Sequence, residues 1–391
     1  MKFWMKGLAL AATAVTAFVA RPAQAQDFYA GKTLTVMVGL AAGGSADTLV
    51  RLFVPHLKKH IPGDPSIVVQ NMPGAGGVLA FNYIYEKAPK DGTQIIFSLW
   101  DPLAQALGNQ GLRARYDQFP YLGGISDVRV NYMRIDALEG SKNPADIMKA
   151  KNIIVGAYGT TDLSGILAHL SLKALGVPHK VVTGYRGGAD VFLALQRGEV
   201  NFHNTSLATF RTRSKGFIQS GEGMGFSYLV ASDEKGNYER RKDVTDMPAF
   251  QDLYKEIHGK LPEGPLWNAF NWTVQQFGDL AYVGLAPPGT PEPALKVLRK
   301  AIADTMNDKE FIAESTQRNG LPFEYVDDKE AAKVFEALSG ASPEILSALK
   351  DSMEAMGASS SISTAMCCMI CMRRMLLANS RKRVAKCAAL T

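Results

Sequence analysis

Short apolar runs, each closed by a glycine-rich or polar turn and followed by apolar residues at helical spacing, recur along this chain. Residues 34–39 (LTVMVG) form a continuous apolar stretch of strand length, the pattern of a strand buried on both faces. The turn Ala41, Ala42, Gly43, Gly44, Ser45 follows, and then Leu49, Leu52, Phe53 and Leu57 recur at the period of a helix. The unit repeats. Residues 66–70 (SIVVQ) predict a second strand, 71–77 (NMPGAGG) a second turn, 78–87 a helix and 94–99 (QIIFSL) a third strand.

A second set predicts strands at 153–157, 180–183 and 200–203, with helices at 164–175 and 191–197. A final set predicts a strand at 281–286, a Pro- and Gly-rich turn, and helices at 292–306, 309–318 and 329–338. Residues 221–271, rich in Gly and charge, show no clear period and read as a return crossing. Strands alternating with helices argue for α/β lobes, each an open, mostly parallel sheet flanked by helices. The expected organisation is a signal at 1–25, a first lobe from 26–127, a second lobe from 128–250, a return to the first lobe with C-terminal helices at 251–357, and a tail at 358–391.

The two ends differ from the rest. Lys2 and Lys6 precede an apolar run over 8–20 and the small-residue pattern Ala23, Gln24, Ala25, which reads as a secretory signal rather than a membrane anchor. The expected location is therefore the periplasm. All four cysteines (Cys367, Cys368, Cys371, Cys387) fall in the last 25 residues, so no disulfide framework is expected in the folded part. The tail reads as an extension without a folded role, and no metal chemistry is placed on it. The formal charge of +6 also belongs to the ends. Residues 1–25 carry three basic side chains and 358–391 carry six, with no acid in either, so 26–357 is near −3. The basic balance says nothing about nucleic acid, and none is expected as a partner.

Both glycine-rich turns place backbone N–H groups at a helix start, where free donors and the helix dipole favour an anion without any basic side chain. Ser45 adds a hydroxyl, and Asp47 can accept hydrogen bonds. Neither turn fits a nucleotide fingerprint. The first lacks the lysine of a phosphate-binding loop, and Gly74, Gly76 and Gly77 lack the dinucleotide spacing. No cofactor is expected.

At this point the chain resembles the extracytoplasmic receptors of tripartite tricarboxylate transporters, the TctC-like or Bug family. The resemblance is carried by AAGGSADTLVRLF (41–53), VVQNMPGAGGVLA (68–80), KDGTQIIF (90–97), IIVGAYGTTDLSGILAHL (153–170), YRGGADVFLALQRGEVNF (185–202) and YVGLAPPGTPEPALKVL (282–298). It implies a two-lobed periplasmic-binding-protein-like fold with the ligand in the interlobe cleft, its carboxylate gripped by the two turns. One jaw would be Gly43, Gly44, Ser45 and Asp47, and the other Gly74, Ala75, Gly76 and Gly77. Thr160, Thr161 and Asp162 would face them, with Tyr185, Gly187 and the turn at Asn204 completing the site. Leu40, Asn201 and Asp162 depart from the family's usual residues, and the stretch 232–271 is longer than expected.

An enzyme finds little support in the residues. None of the six histidines lies in metal spacing, His56 and His60 read as a solvated helix face, and no nucleophile elbow is present. The expectation is a monomeric, non-enzymatic receptor that passes a small organic acid to integral membrane transporter subunits. Two alternatives remain open: a secreted hydrolase using Asp47 or Asp162 as base, and a ligand-sensing input to a membrane kinase.

Overall fold

A computed structural model describes residues 28–357 apart from 234, 320 and 321. The export signal and the cysteine-bearing tail lie outside the described residues. Within the described part, no helix is long and apolar enough to cross a membrane.

The first lobe opens with β1 (Thr33–Val38), α1 (Ser45–His60), β2 (Ser66–Asn71), α2 (Val78–Glu86), β3 (Gln94–Leu99), α3 (Pro102–Ala106) and β4 (Tyr121–Ile125). The chain then crosses into a second lobe of β5 (Arg129–Arg134), β6 (Ile153–Gly156), α4 (Leu163–Ala174), β7 (His179–Val182), α5 (Gly188–Gln196), β8 (Phe202–Ser206), α6 (Leu207–Arg213), α7 (Lys215–Gln219) and β9 (Gly223–Tyr228). After α8 (Phe250–His258) and α9 (Pro265–Asp279), the strand β10 (Tyr282–Leu285) rejoins the first sheet. The described chain closes with α10 (Glu292–Met306), α11 (Lys309–Asn319), β11 (Tyr325–Val326), α12 (Asp328–Ser339) and α13 (Pro343–Ala355).

Among the described residues the first sheet has the order β11-β4-β10-β3-β1-β2 and the second β7-β6-β8-β5-β9. The expectation of mostly parallel sheets needs correction, because both are mixed. β1 pairs in parallel with β2 and β3, and β6 with β7 and β8, whereas β10 runs antiparallel to β3 and β4, and β5 antiparallel to β8 and β9. The cause is the crossing. Parallel neighbours need a crossover within one lobe, but the chain leaves the first lobe through β4 and returns through β10, so these strands meet head to tail.

Burial follows the pattern read from the residues. β3 is buried throughout, while the edge strand β2 alternates exposed and half-buried positions. Leu34, Val36 and Val38 of β1 join the larger core, and Met37 joins a second cluster with Phe81, Ile96, Trp100 and Tyr116 on the other face. Trp100 belongs to this core: it is 1% exposed and its indole N–H donates to the Leu280 carbonyl at 2.8 Å. Helix α9 packs on both α4 and α12, and α13 packs on α9 and α4. The C-terminal helices thus lie across both lobes.

His56 is not on a solvated face. It is buried, with Nε2 2.8 Å from Glu314 and its ring edge-on to Phe311. The reason is tertiary, since α11 covers that side of α1. His56, Asp308 and Glu310 are the group of described residues close enough to share a cation. Asp308 and Glu310 are already matched by His60 and Lys59, and the group sits at the end of α1 remote from its glycine turn.

Candidate functional site

The first glycine turn is built by a local hydrogen-bond set. Gly43 takes a positive φ of 75°, a conformation that glycine adopts without a Cβ penalty. Its N–H donates to Asp47 Oδ2 at 2.7 Å, and the Gly44 N–H donates to the Ala41 carbonyl. Asp47 also accepts both of its bonds from Arg51, at 2.9 and 3.0 Å, and Arg51 reaches on to Asn71. Burial opposes the charge on Asp47, but these donors outweigh it and hold the carboxyl below its ordinary range. The amides of Gly43 and Gly44 are therefore engaged inside the turn. The donors left over are those of Ser45, Ala46 and Asp47, which as first-turn residues have no acceptor within α1. No side chain caps this helix.

The second turn is more contorted. Ala75, Gly76 and Gly77 have φ of 48°, 67° and 104° in succession. A non-glycine residue there is uncommon and costs on the order of 1 kcal/mol. The turn closes through Gly77 and Leu79 N–H groups donating to the Gly74 carbonyl. Consecutive left-handed residues turn backbone N–H groups toward a common concavity, a shape suited to an anion.

The second lobe closes over both turns. The Ala41 N–H donates to the Arg186 carbonyl at 3.1 Å, and a side chain on Gly187 would lie 3.3 Å from the Ala41 nitrogen. At the other turn, a side chain on Gly76 would lie 3.3 Å from Asp162 Cβ, and one on Gly159 3.8 Å from the Gly76 nitrogen. Thr161 donates its hydroxyl to Asp101 Oδ2 at 2.6 Å, joining the lobes directly. Asp101, at the start of α3, also accepts the Ala104 N–H. Burial, reinforced by the charge of Asp162, pushes its carboxyl up to about 7. On the hinge side of Ser45 a cavity of about 440 Å³ runs between α1 and α6, lined by Ser45, Asp127, Ser206, Thr209 and Tyr282 among others.

The residues singled out from the sequence thus come together at one seam, but not all present free groups to it. Ala41, Gly43 and Gly44 meet the second lobe at Gly187, Gly188 and Ala189, and Ala75 and Gly76 meet it at Gly159 and Asp162. Thr160 and Tyr185 are half-buried. Asp162 is the cap of α4: Oδ1 accepts the Gly165 N–H and Oδ2 those of Tyr158 and Gly159, all at 3.0 Å. Asn204 lies inside the second lobe, taking a bond from Arg129 and giving one to Asn131. Both side chains have hydrogen-bond partners within the fold. The donors around Asp47 hold it below the ordinary carboxylate range, whereas burial raises Asp162.

Sequence reasoning missed three groups. Asp101 and Arg213 carry no motif around them, and neither does His203, which is 1% exposed with Nδ1 on the Gly156 carbonyl. Its Nε2 has no partner, and burial pushes the ring down to about 3, so it is neutral.

Two mixed sheets joined by crossing segments, with helix starts from both lobes meeting at a seam, define a two-lobed α/β fold. The search against family descriptions returned no match. Among characterised sequences, the UPF0065 protein of the TAR-I ttuE-ttuC' intergenic region of Agrobacterium vitis is 28% identical over 306 residues, 77% of this chain and 79% of that protein. The UPF0065 protein of the gbd 5' region of Cupriavidus necator is 41% identical over 80 residues, 20% of this chain and 24% of that protein. Among solved structures, the periplasmic binding protein BugD superposes with a TM-score of 0.63 at 19% identity, covering 83% of this chain and 98% of that one. MatC of Rhodopseudomonas palustris with bound malate gives 0.59 at 21%, covering 83% and 99%, and an R. palustris protein with adipate 0.64 at 18%, covering 82% and 98%. In sequence the chain is thus similar to UPF0065 proteins, and in fold to BugD.

Proposed function

We propose that this chain is a periplasmic solute-binding receptor, which closes its lobes on a small organic carboxylate and delivers it to the membrane subunits of a tripartite tricarboxylate-type transporter. The feature that supports this reading is the pair of glycine-rich turns that meet the second lobe at the seam. Backbone donors at a helix start and in a left-handed turn suit a carboxylate better than a neutral or cationic group. Structures of the same fold solved with malate and adipate support the class of ligand. No chemistry on the ligand is required: it enters between the lobes, its carboxylate replaces water at the amides, and closure presents a changed surface to the transporter.

A thermal-shift screen of organic acids that includes malate and adipate, each beside its neutral diamide, tests this. A binding acid at 100 times its Kd stabilises the protein by ~2.7 kcal/mol, and mass spectrometry should recover it unchanged. If no acid raises the melting temperature, or if the acid returns altered, the receptor reading fails.

A further inference from the structure

One charge at the seam has no counter-ion among the described residues. Arg213 is the last residue of α6 in the second lobe. Its Nη1 is buried and has no hydrogen-bond partner, while Nη2 lies 4.0 Å from the place a side chain on Gly43 would occupy. A second-lobe guanidinium therefore stands over the first-lobe turn. The groups that act on it electrostatically are the hydroxyls of Tyr132 and Tyr158 and the carboxylate of Asp47. Asp47 is already paired with Arg51 and the Gly43 amide, and no ion pair links it to Arg213 among the described residues. A guanidinium does not shed its proton to escape burial, and in the half-buried Arg213 the inward N–H lacks an acceptor until an anion arrives.

The opposite sign collects at the other turn. There Asp101 Oδ2 lies 4.0 Å, and Asp162 Cβ 3.3 Å, from the side-chain position of Gly76. The field along the seam thus runs from a cation at Gly43 to two buried carboxyls at Gly76.

We infer that Arg213 is the second-lobe anchor of the ligand's carboxylate, which sits on the amides of Ser45, Ala46 and Asp47 and accepts the free Arg213 N–H from across the seam. This rests on the receptor reading above and deepens it. The ligand is an ionised acid with its carboxylate at the first turn. Closure depends on that negative charge and not on shape alone, because a neutral isostere leaves the inward N–H of the half-buried guanidinium without an anionic partner.

The test is calorimetric titration of the wild type and of Arg213→Gln and Arg213→Lys with malate and adipate at several salt concentrations. Removing the guanidinium from this partly buried pair should weaken the bound acid about 10-fold or more and flatten the salt dependence of Kd. Arg213→Lys keeps the charge without the planar fork and should recover part of the loss. Unfolding curves establish that each variant is folded; should Arg213→Gln not fold, an unchanged Kd in Arg213→Lys overturns the inference and a Kd about 3-fold or more weaker supports it. Equal affinity and equal salt dependence in wild type and Arg213→Gln overturn the Arg213 assignment while leaving the receptor intact. A wild type that binds neither acid removes both.

Discussion

Asp101 offers the sharpest quantitative test, because its burial has a definite sign and size. It is 1% exposed, accepts the Ala104 N–H and the Thr161 hydroxyl, and has its carboxyl pushed from 3.8 to about 7, chiefly by burial. A carboxyl raised on folding contributes stability that is complete below its unfolded value near 4 and is lost as pH rises through about 7. At 1.36 kcal/mol per pH unit, ionisation between those values costs the folded state up to ~4 kcal/mol. Asp101→Asn removes the ionisation and keeps the shape: the amide oxygen can accept from Ala104 and the amide nitrogen can donate to Thr161. Urea unfolding followed by tryptophan fluorescence at pH 4, 6, 7 and 8 should find the two proteins within ~1 kcal/mol at pH 4. By pH 8 the variant should be the more stable, by up to ~4 kcal/mol. Taking the difference between the proteins cancels other titrating groups. A gap that does not change with pH, or a variant less stable at pH 8, would show that Asp101 titrates as a solvated carboxyl and that the seam stands open in solution.

Three further outcomes follow from the same geometry. Gly76→Ala adds a side chain at φ 67° and 3.3 Å from Asp162 Cβ, so it should strain the second turn by ~1 kcal/mol and weaken carboxylate binding several-fold in titration calorimetry, with little change in the urea midpoint. Gly156→Ala places a Cβ 2.6 Å from Val191 and 3.3 Å from Val200, and overpacking of that β-branched pair should cost ~1–3 kcal/mol in urea unfolding. His203, held neutral by burial with its pKa down at about 3, should show no imidazole titration by NMR between pH 8 and 5. Its contribution to stability is complete above the unfolded value near 6.5 and is lost as pH falls toward about 3, opposite in sign to that of Asp101.

Legibility varied with how local the cause of each element is. β1, β3 and α10 were readable because a strand buried on both faces is continuously apolar and a helix covering a sheet is apolar at its own period. β5 went unread although nearly all of it is buried. Its sequence RVNYMR holds Arg129 and Asn131, which are satisfied inside the lobe by Asn204, Ser164, Ser171 and Ser227. Hydropathy cannot mark as interior a polar group whose partners lie 35 to 96 residues away. β9 was lost among glycines, and α13 in a stretch whose apolar face is defined only by α9 and α4.

The same division holds at the seam. The sequence alone determined that two strands end in glycine-rich turns opening helices, because positive φ and unpaired first-turn amides are properties of a few adjacent residues. Only the tertiary structure decided which of those donors and acids remain available. Gly43 and Gly44 point their amides inward because Asp47 and Ala41 accept them, and Asp162 is occupied as a cap. Asp101 is raised because Thr161 and the second lobe close over it. Arg213, one of two arginines on a short polar helix, acquires its role from standing opposite a turn 170 residues earlier. Charge, unlike φ, takes its meaning from whatever is folded against it.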